Sequence, residues 1–247
     1  MSDLQTIEYE HDGVALRGEL ALPTGVGPHP GMLVIHDARG LGSLVRRRCR
    51  ELAARGYVAF APDMLGGGRR FENAREVGPL LAALHEKPQR LRDRVLAGFQ
   101  VLQAQPQTDA SRIGALGFCF GGQCVLELAR GGADVKAVIS FHGLLGTRMP
   151  AQPGTVKAKV LAMTGRQDPY APVADVEAFQ QEMTAAGVDW HLTVYSQGHH
   201  AFSDPEAVQM TQIPGVRYDP VLAKLSWSQA TAFIDSLVLE GPTIQEN

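Results

Sequence analysis

The sequence has little of several features that would assign it to a special class of protein. It holds only three cysteines among 247 residues, Cys49, Cys119 and Cys124. This odd count argues against a disulfide framework and predicts free thiols, because the polar start also lacks the basic and apolar segments of a secretory signal. No apolar run approaches the roughly 18 to 20 residues that a membrane span needs. We therefore expect a cytoplasmic protein that does not enter the membrane.

An excess of charge of one sign is also lacking. The formal net charge is −3, so the composition predicts no basic surface for nucleic acid. No repeat, low-complexity tract or interdomain linker interrupts the chain. With 45% hydrophobic residues, the length suits a single domain over residues 1–247. The choice between a monomer and a small homo-oligomer stays open.

Short apolar runs alternate with amphipathic segments along most of the chain. Two extended segments come first, joined by Asp12-Gly13, a dipeptide that favours a tight hairpin turn. Later runs, apolar on both faces as in a parallel sheet, occur at 31–36, 57–62, 112–118, 135–141, 159–165 and 190–196. Helix patterns occur at 44–55, 73–86, 89–105, 121–130, 172–186 and 219–239. The alternation predicts an α/β fold with a doubly wound, mostly parallel sheet, helices on both faces and an antiparallel N-terminal hairpin.

The hexapeptide GFCFGG, residues 117–122, lies between a predicted strand and a predicted helix. Gly-x-Cys-x-Gly in this position is typical of a nucleophile elbow, whose strained turn needs small flanking residues. Cys119 would stand at a helix N-terminus, where the helix dipole and free N–H groups favour a thiolate. The alternative is a buried structural cysteine. The flanking strand and helix favour the nucleophile.

A nucleophile elbow requires an acid and then a histidine later in the chain. Asp168 follows the apolar run at 159–165, and His199 and His200 follow the run at 190–196. Each alone has an ordinary explanation, as a turn aspartate or a surface histidine. Their order and their places after separate strands favour a catalytic triad at the carboxyl edge of the sheet, where ligands bind in such folds.

Attack by a thiolate on a carbonyl carbon puts negative charge on the carbonyl oxygen, which needs preorganised donors. One predicted donor is the backbone N–H of Phe120, the residue after the nucleophile. The second is the N–H of Ala38, in the loop DARGLG after the first predicted parallel strand. These two groups form the predicted oxyanion hole.

The combination of GFCFGG, HDARG, YVAFAPDMLGGGR, SFHG, GRQDP and HHAFSDP resembles the dienelactone hydrolase family, from about residue 6 to residue 239. The resemblance implies an α/β-hydrolase fold and hydrolysis of a small ester or lactone, of the carboxymethylenebutenolidase type, through a thiol acyl-enzyme without cofactor or metal. By position it implies Cys119 as nucleophile, Asp168 as acid and His200 as base, because His200-Ala201-Phe202 matches the family's arrangement. His199 remains the alternative base.

The resemblance also implies roles around the nucleophile. In the family, a carboxylate in the loop after the third strand contacts the resting nucleophile, and here that position holds Asp37, one methylene shorter than the usual glutamate. The enzyme that gives the family its name clamps a substrate carboxylate with arginines, one of them four residues after the histidine, where this chain has Asp204. The candidates to replace that clamp from other loops are Arg39, Arg69, Arg70 and Arg75. His142 and Phe202 are further candidates for substrate binding. Solvation at the surface is the alternative role of the four arginines.

Other functions stay open beside an ester or lactone hydrolase. A general carboxylesterase or thioesterase would use the same scaffold. A thiol-based sensor or binding protein without turnover would use only the reactivity of Cys119. A metal site is a further alternative because imidazole and carboxylate groups can ligate metals, and its candidate ligands are His36, Asp37, His142 and His199. No short ligand-dense motif supports that alternative, so no metal is predicted.

Overall fold

A computed structural model of the chain describes residues 3–239. Its eight-stranded sheet has the order β1-β2-β4-β3-β5-β6-β7-β8. The strands are β1 (Gln5–His11), β2 (Val14–Ala21), β3 (His29–Ile35), β4 (Val58–Ala61), β5 (Thr108–Phe118), β6 (Ala137–Phe141), β7 (Lys159–Gly165) and β8 (Trp190–Tyr195). The β1–β2 and β2–β4 pairs are antiparallel, and every other pair in this sheet is parallel.

Six helices accompany the sheet in this part of the chain. They are α1 (Ser43–Ala54), α2 (Ala74–Glu86), α3 (Pro88–Gln103), α4 (Phe120–Arg130), α5 (Val173–Ala185) and α6 (Pro220–Ile234). A short 3-10 turn spans Pro205–Gln209, and a π-helical turn, Asp235–Leu239, continues α6. The predicted fold class is confirmed, with the antiparallel hairpin at one edge.

The core has two halves, one on each face of the sheet. On one face Leu52 of α1 and Ile234 of α6 belong to the same buried cluster as Val34. On the other face Phe99 of α3 and Val125 of α4 join a second cluster. The central strands are buried on both sides, which explains why their sequences are apolar throughout rather than alternating.

Most predicted boundaries agree with the structure to within a few residues. The strand predicted at 159–165 is β7 itself, whereas β5 begins at Thr108 rather than at 112. Thr108 and Asp109 pair with His29 and Pro30, and the β3–β5 register then shifts between Pro30 and Gly31. The sequence at 109–111 does not predict this additional strand segment. Within residues 3–239, no helix has both the length and the apolar character that crossing a bilayer requires.

Candidate active site

Cys119 lies at a sharp turn between β5 and α4. Its backbone has φ +55° and ψ −115°, a conformation that residues other than glycine rarely adopt. A Cβ atom on Gly117 would lie 2.0 Å from the carbonyl oxygen of Gly121, so this turn admits only glycine at 117. The turn therefore has the geometry expected of a nucleophile elbow.

Gly121 brings the first turn of α4 against the end of β3. A Cβ atom there would lie 2.3 Å from the carbonyl oxygen of Ile35 and 2.6 Å from that of His36. Both neighbours are backbone atoms, which cannot rotate away. The glycine thus lets the N-terminus of α4 approach the loop that follows β3, where Ala38 lies.

Three side chains from separate strand ends form a chain of hydrogen-bonding contacts. His200 Nε2 lies 3.1 Å from Cys119 Sγ, and His200 Nδ1 lies 2.9 Å from Asp168 Oδ2. The Asp168 side chain is fully buried, and its other oxygen accepts the N–H of Tyr170 at 2.8 Å. The structure thus brings together the three residues that the sequence analysis proposed as a triad. His199 points elsewhere, with Nδ1 beside the carbonyl oxygen of Gln197.

The electrostatic surroundings of His200 favour a protonated ring. Burial by itself lowers the pKa of His200, but the negative charges of Cys119 and Asp168 and their hydrogen bonds outweigh it and raise the pKa to about 10. The His200 backbone is fixed as well, since its N–H donates to Gly215 and its carbonyl oxygen accepts from Arg217. The arrangement therefore favours the cationic form of His200 beside Cys119.

Two backbone N–H groups of residues in the cavity wall have no hydrogen-bond partner among the described residues. They belong to Phe120, the first residue of α4, and to Ala38 in the loop after β3. Both residues line the cavity that contains Cys119. The first N–H groups of a helix have no intrahelical acceptor, so they can bind a developing negative charge.

The Asp37 carboxylate does not bond the nucleophile. One oxygen accepts the Arg39 backbone N–H at 2.7 Å, and the other accepts the Arg39 guanidinium at 2.7 Å. Cys119 Sγ instead faces His200. The expected contact between Asp37 and the Cys119 thiol is therefore absent, because both oxygens of the short Asp37 side chain accept hydrogen bonds from Arg39. Asp37 still lines the same cavity.

Arg39 is the centre of an ion-pair cluster that the sequence analysis missed. Besides Asp37, its guanidinium donates to Asp204 at 2.7 Å and lies 3.7 Å from Glu206. Burial raises the pKa of Asp204, and the nearby Asp37 adds to the effect while the Glu206 N–H and Arg39 oppose it. No sequence signal connects Arg39 with Asp204, which is 165 residues away.

The cavity above Cys119 has a volume of about 320 Å³, near the lower end of the range of about 300–1,000 Å³ for ligand pockets. Most of its wall is apolar. The residues that line it are Asp37, Ala38, Arg39, Leu44, Leu81, His85, Phe118, Cys119, Phe120, Gln123, His142, Leu144, Tyr170, His200, Ala201, Asp204, Met210, Ile213 and Val216. It is large enough for a small organic molecule.

Four predicted substrate-binding residues lie outside this wall, whereas Arg39 and His142 belong to it. The guanidinium of Arg69 lies over the ring of Phe71 and pairs with Glu76, and Arg70 pairs with Glu206. Phe202, also a candidate for substrate binding, is fully buried behind the site, against the His142 ring. Substrate contact by Arg69, Arg70, Arg75 and Phe202 stays a prediction, which their places outside the cavity wall do not favour.

His142 supports the site from beneath. Its Nε2 lies 2.8 Å from Ser203 Oγ, and its ring meets the His200 ring edge-on at 5.5 Å. Burial lowers the pKa of His142 well below its usual value, and the charge on His200 lowers it further. Of the other alternative metal ligands, His36 faces the Met64 N–H and the Asp37 carbonyl oxygen. Within residues 3–239 no group of three or more His, Cys, Asp or Glu is placed to hold a metal ion.

Much of the cavity wall had no recognisable sequence signal. Tyr170, whose ring centroid lies 4.6 Å from that of His200, directly follows the segment GRQDP, but no pattern in the sequence gave it a role. Leu81 and His85 come from α2, whose pattern predicted only a helix. Met210, Ile213 and Val216 come from an irregular segment without periodicity.

The chain is similar to known proteins in sequence and in fold. The model of the dienelactone hydrolase family matches residues 16–238. "Protein usf" of Aquifex pyrophilus is 29% identical over 235 residues, covering 93% of this chain and 96% of that protein. A protein of Aquifex aeolicus named "Putative carboxymethylenebutenolidase" has the same identity and coverage.

A solved structure extends the comparison to three dimensions. The crystal structure of a dienelactone hydrolase-like promiscuous phosphotriesterase from metagenomic libraries has a TM-score of 0.90 and 32% identity, covering 95% of this chain and 98% of that chain. The match of the family model spans most of the sheet, the elbow at Cys119 and the segments that carry Asp168 and His200. This chain therefore belongs to the dienelactone hydrolase family of α/β-hydrolases.

Proposed function

We propose that this protein hydrolyses small carboxylic esters or lactones, with Cys119 as nucleophile, His200 as acid and base, and Asp168 as the residue that orients His200. The observation that carries the proposal is the contact chain from Cys119 Sγ through His200 to Asp168, at 3.1 and 2.9 Å. The same cavity is lined by two residues whose N–H groups have no partner in the described part of the chain. The members of the contact chain occupy the roles that nucleophilic catalysis requires.

In the first half of the reaction, the Cys119 thiolate attacks the carbonyl carbon and a C–S bond forms. The electron pair of the carbonyl π bond moves to the oxygen, which accepts hydrogen bonds from the N–H groups of Phe120 and Ala38. When the tetrahedral intermediate collapses, the bond to the leaving oxygen breaks. The His200 imidazolium gives its proton to that oxygen, and a thioester on Cys119 remains.

In the second half, water replaces the released alcohol. Neutral His200 takes a proton from the water, whose oxygen attacks the thioester carbonyl. Collapse of the second intermediate releases the carboxylic acid and restores the thiolate beside the imidazolium. Asp168 keeps Nδ1 protonated throughout, so Nε2 faces the reacting atoms. No cofactor takes part in these steps.

The proposal is tested by intact-protein mass spectrometry during turnover of 4-nitrophenyl acetate. We expect an acetyl adduct on Cys119 that appears and decays in the wild type. It should be absent in Cys119→Ala, and in His200→Ala it should form slowly and persist. Cys49→Ala is the matched control, because Cys49 lies on the buried face of α1, in the core and outside the cavity wall. Alkylation of Cys119 by iodoacetamide without adduct or product would refute the hydrolase and favour a thiol sensor.

A second activity is favoured by the solved relative whose name describes a promiscuous phosphotriesterase. The same thiolate would attack the phosphorus of a neutral triester, forming an S–P bond while the aryloxide leaves. The test is release of 4-nitrophenol from a dialkyl 4-nitrophenyl phosphate, with Cys119→Ala as the control. Equal rates in the two proteins would exclude this activity at Cys119. The cytoplasmic location and the single domain stay predictions.

A further inference from the structure

The wall of the cavity above Cys119 offers a substrate mainly hydrocarbon surface. Its apolar side chains include Leu81, Leu144, Met210, Ile213 and Val216. They come from α2, from the segment after β6 and from the segment after His200, so the apolar surface surrounds the sulfur from several directions. A substrate group that enters this space exchanges water for hydrocarbon contacts.

Arg39 is the one arginine or lysine that the described residues contribute to this wall, and its charge is already paired. Asp37 and Asp204 each accept from its Nη2 at 2.7 Å, and Glu206 lies 3.7 Å from Nη1. Arg70 also pairs with Glu206. Arg70 Nε also lies 3.9 Å from the exposed Glu72. The two guanidinium groups are therefore outnumbered by the carboxylates that they face.

The Asp204 carboxylate is held firmly in this cluster. Only 4% of its side chain is exposed. Its second oxygen accepts the Glu206 N–H at 2.9 Å, at the start of the 3-10 turn. A substrate anion that approached Arg39 would have to displace a carboxylate that the backbone already fixes, or enter beside it unpaired.

We propose that this site selects uncharged esters with apolar acyl chains over esters that carry a carboxylate, and that the carboxylates around Arg39 cause the selection. This inference rests on the proposed hydrolase function. An anion in the cavity would lose its water, meet an apolar wall and face Asp37 and Asp204 without a free cation. An alkyl chain of the same length has no charge to desolvate or to be repelled, and it gains apolar contacts with the wall.

The test compares two substrates that differ only at the far end of the acyl chain. They are 4-nitrophenyl hexanoate and the 4-nitrophenyl half-ester of adipic acid, with the same leaving group and the same number of acyl carbons. We expect kcat/KM to be about 30-fold higher for the hexanoate, which corresponds to the order of the penalty for one unpaired buried polar group. Raising the salt concentration should narrow the ratio by screening the charges.

The variant Asp204→Asn tests the cause. Asparagine can still accept the Glu206 N–H through Oδ1, but it removes one negative charge beside Arg39. We expect the ratio of adipate to hexanoate kcat/KM to rise about fivefold, the effect of one charge across several ångströms of partly screened space. Asp109→Asn is the matched control, because Asp109 pairs with Arg112 near the opposite end of β5. Its ratio should equal that of the wild type.

The outcomes separate the two proposals. Failure to hydrolyse either ester would contradict the hydrolase function itself. Equal rates for the two esters, or faster hydrolysis of the adipate, would overturn the selection and leave the hydrolase function standing. An unchanged ratio in folded Asp204→Asn would show that the carboxylates are not its cause. If Asp204→Asn does not fold, Glu206→Gln removes another charge of the same cluster from a more exposed position. A rise in the ratio of adipate to hexanoate kcat/KM in Glu206→Gln would support the carboxylates as the cause, and an unchanged ratio would exclude them.

Discussion

Replacing Asp168 with asparagine would test the contact chain at its most buried member. The carboxylate accepts the His200 Nδ1–H at 2.9 Å and the Tyr170 N–H at 2.8 Å, and the side chain is fully buried. Asparagine has the same shape, and its oxygen can keep the bond to Tyr170. Its NH₂ group then faces His200 Nδ1. The ring must accept a hydrogen bond at Nδ1 and carry its proton on Nε2, towards Cys119.

The expected loss of activity follows from that change of tautomer. A neutral ring with its proton on Nε2 cannot take a proton from the thiol or from the attacking water. In a serine protease the equivalent change lowers kcat about 10⁴-fold. A thiol is more acidic than a serine hydroxyl and depends less on the base. We therefore expect kcat to fall about 10²- to 10³-fold, or about 3 to 4 kcal/mol of transition-state stabilisation.

Stopped-flow release of 4-nitrophenol from 4-nitrophenyl acetate would measure the acylation burst and the later turnover separately. Both rates should fall in Asp168→Asn, because His200 transfers protons in both halves of the reaction. Asp189→Asn is the matched control, since it removes an exposed carboxylate beside Lys159 before β8, at the opposite end of the strand from His200. Circular dichroism and urea titration would establish that both variants fold. If kcat fell less than tenfold in folded Asp168→Asn, the role of Asp168 in orienting His200 would be refuted.

Two further predictions concern His200 and the glycine at the elbow. The His200 pKa is about 10 in the fold against 6.5 in the unfolded chain; its proton therefore stabilises the protein fully below pH 6.5, and this contribution is lost as the pH rises through about 10. In Cys119→Ala an NMR titration should show a lower His200 pKa, and an unmoved titration would contradict the thiolate. Gly121→Ala should lower the free energy of unfolding by about 1–3 kcal/mol, because its Cβ would overlap the Ile35 carbonyl oxygen. The same overlap should also lower kcat. Gly78→Ala in α2 is the control, because its Cβ would meet nothing within 4 Å. It should leave kcat unchanged and preserve the free energy of unfolding or raise it by about 0.5–1 kcal/mol. Equal effects of Gly121→Ala and Gly78→Ala would contradict the close approach of α4 to β3.

The sequence predicted those parts of the site that depend on local chain geometry. Gly117 and Gly121 flank Cys119 because a sharp turn after a strand leaves no room for Cβ atoms, and such a turn has a recognisable pattern. The acid and histidine candidates could be placed at one edge because the carboxyl ends of parallel strands lie together. Their hydrogen-bonding distances are a finding of the structure.

The partners of side chains in the loops could not be predicted in this way. Asp37 follows β3 as the family resemblance implies, but its carboxylate is taken up by Arg39, which also bonds Asp204. Phe202 follows His200 closely and yet packs behind the site, because the turn at Ala201, with φ +59°, redirects the chain. A choice among several nearby partners depends on distances of a few ångströms that no pattern of letters contains.

By itself the sequence determined the alternation of buried strands and amphipathic helices, the elbow at Cys119 and the order of the nucleophile, acid and histidine candidates. Each of these depends on backbone preference and the periodicity of burial, which act over a few residues. Only the tertiary structure decided that Arg39 is enclosed by carboxylates and that an apolar wall surrounds the sulfur. Those properties depend on which loops meet at one edge of the sheet. The interaction energy between charges and the free energy of placing an anion in the cavity are both set by neighbours that are distant in sequence.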